Sequence, residues 1–343
     1  MGTPLKVLAY ILCGVFIGFV FSVWLPSWKA GTKTSRNCAA TLDWNGWQSI
    51  KYAYIFGDSW TDTAFDPKGT QPSPEAPLGN PDFPGRNAAN ATNWVGFLTT
   101  QYNASLLQTY NLASSGATLD NDVVPGYPMS MSLQVYQRFM PHYADAHSPP
   151  WKASDTLFIM FAGIVDSIMM NGRKDPDDLS NMNGNLTRVY SKLLNSLYGA
   201  GARNFLLLNV PPMERTWQPE DIGQEIKDKF KSDVAVYNER VRKAAEELNT
   251  FEGTNVWLFD TNTLFNQALD NPTSFAQTSG ILNTTTPCGN YASGTPTTDY
   301  YDPVCDIPVN QYFWLNGLHP TYPIHDVLAE QLVKLLEKGP NTC

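Results

Sequence analysis

Five short apolar runs constrain the fold of this chain more than any other feature. They are Tyr52–Phe56, Leu107–Leu112, Thr156–Ala162, Asn204–Val210 and Asn255–Asp260. They read as apolar runs more than as in-and-out alternation, the pattern of strands covered on both faces in a parallel sheet. Helical patterns fall between them, at Thr92–Tyr102, Met131–Met140, Asn185–Leu197, Glu220–Asn249 and Ile324–Leu336. Alternating strand and helix predicts right-handed crossovers and an α/β fold, with chemistry at the C-terminal ends of the strands. Residues 66–90 and 271–313 are long and rich in Pro and Gly. Loops of that length in a compact domain are usually functional. One α/β domain with large insertions is therefore expected over residues 51–338. Residues 1–30 form a targeting segment, 31–50 a linker and 339–343 a tail.

The targeting segment carries an uncharged run from Val7 to Leu25, preceded by Lys6. Nineteen helical residues span roughly 28 Å, close to a bilayer core. Two readings stay open, a cleaved signal peptide and a retained signal anchor. The small-residue cleavage site nearest the run lies around Ala30, with Trp28 in the wrong place. Lys29, Lys33 and Arg36 follow the run, and the positive-inside rule opposes the anchor's orientation. Either reading delivers the domain to the secretory pathway, secreted or held outside by residues 7–25. Four sequons, at Asn90, Asn103, Asn185 and Asn283, agree with that and predict a glycoprotein.

Cys13 lies in the apolar run, which leaves Cys38, Cys288, Cys305 and Cys343, an even number for an oxidising compartment. Four cysteines allow three pairings. Cys288–Cys305 is preferred, and Cys38–Cys343 would tie the two ends together. Neither a CxxC pair nor an HExxH motif occurs, so no metal is expected. The net charge of −9 argues against a nucleic-acid partner, whose phosphates need a basic face. A monomer acting on a small substrate is expected.

The chain has four histidines, His142, His147, His319 and His325. His142 and His147 lie in a Pro-rich segment and read as loop residues. The first strand ends at Gly57-Asp58-Ser59. A Ser there can expose its hydroxyl above the sheet, with backbone N–H groups facing an incoming oxyanion. The bland alternative is a turn with Asp58 or Ser59 as a helix cap. The second strand runs into Gly116 and the third into Gly163-Ile164-Val165-Asp166. Near the C-terminus, His319 stands before Pro320. A Ser at the first strand and a His near the end can meet above one sheet edge, because triads are defined by geometry and not by chain order.

These four blocks, in this order, resemble the SGNH (GDSL-type) hydrolases, and most closely the secreted fungal acetylesterases of carbohydrate esterase family 16. The similarity covers most of residues 50–338. It rests on Gly57-Asp58-Ser59 with Asp62, on Gly116, on Gly163 to Asp166, and on His319-Pro320-Thr321. It implies a three-layer α/β/α, flavodoxin-like fold around a mainly parallel five-stranded sheet, and a cofactor-free esterase. Ser59 would be the nucleophile and His319 the general base. The N–H groups of Ser59 and Gly116 would form part of the oxyanion hole. Asp58, Trp60, Asp62 and Asp166 are assigned to substrate binding, Trp60 as a sugar platform. Trp94 and Trp314 also sit in or beside family blocks. His325 is read as a packing or helix-start residue.

Two positions depart from the family pattern. Val165 stands where the family places an Asn that donates to the oxyanion, and losing one such donor costs about a hundred- to a thousandfold in kcat. Asn316 stands where the family places an Asp three residues before the His. In a serine protease that change costs about ten-thousandfold. Asn171 or Asn209 could replace the missing donor, and Asp299, Asp302 or Asp306 the missing carboxylate. Three functions follow: a deacetylase of plant-polysaccharide-derived carbohydrates, a lipase or lysophospholipase on longer chains, and a sugar-binding relative with impaired catalysis.

Overall fold

A computed structural model describes residues 38–145, 149–171, 175–216 and 223–343, without the side chains of 176–178 and 180. The N-terminal apolar run, the candidate cleavage region around Ala30, most of the first half of the linker and His147 lie outside the described residues. All five apolar runs form strands: β1 (Tyr52–Gly57), β2 (Gln108–Asn111), β3 (Thr156–Phe161), β4 (Asn204–Leu208) and β5 (Asn255–Phe259). Every residue of β3 and β4 is buried, which is why no alternation was visible in their sequence.

The sheet is wholly parallel in the order β2-β1-β3-β4-β5. The chain winds outward from β1 to β2, then crosses back to lay β3 on the other side of β1. Gly57 at the end of β1 is in register with Phe161 at the end of β3. The point where the winding reverses is where sheets of this kind open a crevice. On one face α1 (Trp94–Thr100), α7 (Thr261–Asp270) and α8 (Tyr322–Glu337) pack together. On the other lie α4 (Ile164–Met170), α5 (Pro176–Gly199) and α6 (Gln224–Leu248). A distorted helix runs from α2 (Met131–Leu133) through a π-helical stretch (Gln134–Phe139) to α3 (Met140–Tyr143). It reaches α5 through the Tyr136 hydroxyl, 2.9 Å from Ser196 Oγ.

Both expected disulfides form, Cys38–Cys343 and Cys288–Cys305. The first joins residues 305 positions apart, and a loop of that length is where cross-linking restricts the unfolded chain most. The two long insertions are tied to each other at Asn90. Its Oδ1 accepts the Thr295 N–H and its Nδ2 donates to Thr295 Oγ1, each at 2.7 Å. No described helix is long and apolar enough to cross a membrane.

Candidate active site

The end of β1 lifts one side chain out of the sheet. The buried Gln134 grips Gly57 on both sides, accepting its N–H at 3.0 Å and donating to its carbonyl at 2.8 Å. The Asp58 carbonyl then accepts the N–H groups of Thr61 (3.0 Å) and Asp62 (2.8 Å). The Asp58 carboxylate accepts that of Trp60 at 3.0 Å. This tight turn leaves Ser59 at the rim of the sheet, 8% exposed.

His319 is held by a short loop whose ends pair as a Trp314–Pro320 bridge. Its Nε2 lies 2.7 Å from Ser59 Oγ, and its Nδ1 lies 3.1 Å from Asn316 Oδ1. Asn316 Oδ1 also accepts the backbone N–H groups of Leu318 (3.0 Å) and His319 (2.9 Å). Its Nδ2 donates to the Ala292 carbonyl at 3.2 Å. Flipping the amide would set N–H against N–H and carbonyl against carbonyl, so the oxygen is fixed toward the ring. An amide oxygen only accepts, so Nδ1 carries the proton and the Nε2 lone pair faces the Ser59 hydroxyl. The wrong-tautomer penalty of an Asp→Asn change is thereby avoided. The weaker support for a charged ring remains. Burial lowers the His319 pKa to about 4, with no carboxylate raising it. None of Asp299, Asp302 and Asp306 hydrogen-bonds His319. Asp302 is engaged instead with Asn290 Nδ2 and the Val304 N–H.

Gly116 adopts φ +75°, and a Cβ there would lie 2.2 Å from Tyr127 Cδ2. Both the left-handed backbone and the ring resting on it demand glycine. The N–H groups of Ser59 and Gly116 make no hydrogen bond among the described residues. They are two donors able to meet an oxyanion. Val165 adds no side-chain donor, and neither proposed substitute hydrogen-bonds Ser59 or Gly116. Asn171 is the C-cap of α4, at the far end of the helix from Val165. Asn209 spends its amide on Asp260 Oδ1 (2.9 Å) and on the Asn262 N–H (3.1 Å).

Three residues assigned to substrate binding lie beneath the surface. Trp60 is 1% exposed, its ring packed among Phe161, Phe265, Trp314 and His325, so it has no face to offer a sugar. Trp94 and Trp314 are core residues as well. Asp58 and Asp166 are fully buried, and desolvation pushes both carboxyls up to about 7. Asp166 accepts the Leu119 N–H with both oxygens (3.1 and 3.0 Å), pinning the Gly116 loop to α4. Asp62 is half-buried. Its Oδ2 accepts from the N–H and hydroxyl of Ser115, each at 2.8 Å, so it too braces that loop. His325 is buried against Trp60 and takes no part at Ser59. His142 sits in α3, its Nδ1 2.9 Å from the Arg138 carbonyl.

The residues this geometry adds are Gln134 and Tyr127. Gln134 sits in a helical pattern with nothing to mark it. Tyr127 lies in the turn-rich stretch PGYPMS, is 64% exposed and rests on Gly116.

The profile of the GDSL-like Lipase/Acylhydrolase family matches residues 54–332. The chain belongs to that family. It is a carboxylic ester hydrolase, as the Ser59–His319 pair leads one to expect of it. An acetylesterase from Thermothelomyces thermophilus is 32% identical over 289 residues, covering 82% of this chain and 87% of the relative. A thermolabile hemolysin from Vibrio parahaemolyticus is 27% identical over 257 residues, covering 72% of this chain and 55% of the relative. The crystal structure of an acetylxylan esterase from Geobacillus stearothermophilus is 13% identical, with a TM-score of 0.44 over 83% of this chain and 94% of its own.

Two outcomes follow for this GDSL hydrolase. With His319 as the candidate base, the acidic limb of kcat/KM is expected near pH 4, because a base must be neutral and activity is lost as pH drops through its pKa. Asn316→Asp moves that limb upward, since an adjacent carboxylate favours the imidazolium. A pH profile in which the limb stays put would refute this coupling. Separately, Val165→Asn raises kcat about tenfold or more with little change in KM, as a new donor to the transition state should. Steady-state kinetics on a soluble acetyl ester measure it.

Proposed function

We propose that this hydrolase removes acetyl groups from carbohydrates derived from plant polysaccharides, outside the cell, through a Ser–His mechanism. Ser59 attacks the acetyl carbonyl while His319 Nε2 takes its proton. The N–H groups of Ser59 and Gly116 hold the oxyanion. His319 then returns the proton to the departing sugar hydroxyl, leaving an acetyl-enzyme. Water, deprotonated by the same histidine, releases acetate. Asn316 acts by fixing the ring and its tautomer. No cofactor is needed in this scheme.

The observation that carries the sugar reading is a polar cavity that reaches the Ser59 turn through Asp62. The cavity that adjoins the Ser59 turn is walled by Asp62, Asp66, Lys68, Arg86 and Arg138, which suits hydroxyl-rich ligands and not a long acyl chain. Tyr127 adds an exposed ring against Gly116, placed where a sugar ring bearing the ester could stack. The Thermothelomyces relative, named an acetylesterase, agrees with a short acyl group. The two disulfides suit an oxidising compartment. Asn103, Asn185 and Asn283 are the half-exposed sequons proposed to carry glycans. Asn90, whose amide is spent on Thr295, is a poorer acceptor.

The test compares p-nitrophenyl acetate, p-nitrophenyl palmitate and acetylated xylo-oligosaccharide. Turnover is expected on the two acetyl esters and falls more than about a thousandfold in Ser59→Ala. Preference for palmitate would overturn the short-acyl assignment, and absence of Ser59-dependent turnover would overturn the mechanism. Tyr127→Ala is expected to raise KM for the oligosaccharide about three- to tenfold and leave that for p-nitrophenyl acetate unchanged. Equal effects on both would deny the ring a sugar-binding role.

A further inference from the structure

The cavity beside the Ser59 turn holds about 600 Å³, within the range of small-ligand sites. Ala113 and Ser114, from the stretch that leads to Gly116, form one wall. Ser114 is bonded through its N–H to the Gly57 carbonyl at 3.1 Å, and Asp62 belongs to both the cavity and the brace of the Gly116 loop. Ser59, His319 and Gly116 do not line this space; it meets the turn that carries Ser59 through Asp62 and the stretch that leads to Gly116 through Ala113 and Ser114.

Its charges are not arranged as a self-satisfied surface. Both carboxylates are engaged with the chain around them. Asp62 accepts from Ala64 and Ser115, and Asp66 accepts the Lys68 N–H at 2.9 Å. The cations are less committed. Lys68 Nζ and the Arg86 guanidinium have no hydrogen bond or ion pair among the described residues, and both side chains are exposed. Arg138 is half-buried and anchored through Nη1 to the carbonyls of Leu112 (2.9 Å) and Ala113 (3.0 Å). That grip aligns the guanidinium, whose charge is also attracted by Asp62 and Asp66, and leaves Nε and Nη2 without a hydrogen bond among the described residues. His142 Nδ1 must donate to the Arg138 carbonyl, so Nε2 is the acceptor nitrogen of that tautomer and adds nothing to the hold on an anion.

We infer that this cavity is a subsite for the carboxylate of an acidic sugar, a uronate joined to or near the acetylated residue. The inference rests on the carbohydrate-esterase reading and narrows its substrate to acidic oligosaccharides. Three cations face two engaged carboxylates, so a single negative charge completes the site. The planar forks of Arg86 and Arg138 match a carboxylate in two-point geometry. The chain as a whole is acidic at −9, but charges beyond about 8 Å are screened at physiological salt. The local cations therefore decide whether an anion is held here.

The decisive measurement is calorimetric binding to the full-length Ser59→Ala protein, which cannot consume the ligand. A xylo-oligosaccharide carrying one glucuronic acid is compared with the neutral oligosaccharide of equal length. The acidic ligand is expected to bind about tenfold tighter. That advantage should shrink as salt rises and disappear in Lys68→Ala/Arg86→Ala. Arg86→Gln alone should remove part of it, and thermal unfolding confirms that each variant is folded. Equal binding of the two ligands, or a preference that survives the double substitution, would overturn the subsite. Wild-type turnover of neutral acetylated xylo-oligosaccharide separates the two readings. Turnover without acid preference removes the subsite and leaves the esterase reading, whereas acid binding without turnover does the reverse.

Discussion

The chemistry of this molecule depends on how β1 ends. A parallel strand at the winding reversal must stop, turn and raise a serine within two residues, without abandoning the backbone groups it buries there. Gln134 solves this by taking both the N–H and the carbonyl of Gly57 with one amide. By accepting the Gly57 N–H the amide avoids a desolvation cost of about 1–3 kcal/mol for that group, and it shares the carbonyl with the Ser114 N–H. The Asp58 turn, Ser114 on the Gly57 carbonyl and the Asp62–Ser115 brace all build outward from that point. Asp166 then fastens the far end of the same loop to α4. The acids that a motif reading assigns to substrate are thus the framework of the Gly116 loop.

Much of this was open to sequence reasoning because of where burial is total. Strands buried on both faces are continuous apolar runs, and each of the five was placed within a residue or two. Helices with one solvated face, such as α6 and α8, announce themselves by period. The short α4 does not, because Ile164, Val165, Asp166, Ser167 and Met170 are all buried and no polar face remains. For α7 the signal existed, with Asp260 as its cap and Leu264, Phe265, Ala268 and Leu269 on the buried side. It lies between a strand and a long loop, where ten residues show too few turns for the period to stand out.

The site was legible to the degree that its residues carry chemistry themselves. Ser59 and His319 stand out as nucleophile and base candidates, and the similarity to a known family joined them. Trp60 is not a sugar platform because adjacency in sequence to Ser59 says nothing of direction: the residue after the rim serine in this tight turn points back into the core. Tyr127 and Gln134 act through position alone. One leans on a glycine eleven residues earlier, the other reaches the end of a strand 77 residues away, and neither relation leaves a trace in local pattern.

The neutral Asn316 is best understood through the surroundings that choose it. Two backbone N–H groups and the His319 ring demand an acceptor on one side, while the Ala292 carbonyl at 3.2 Å demands a donor on the other. Only an amide meets both, since a carboxylate would set its second oxygen against that carbonyl. The consequence reaches His319, the proposed base. A carboxylate neighbour raises a histidine pKa and so removes the neutral base at mildly acidic pH. With an amide there, burial alone acts, and His319 stays unprotonated down to about pH 4. The site gives up part of the stabilisation of the imidazolium in the transition state. In exchange it keeps a proton acceptor in acid, where an Asp-supported histidine would already be charged.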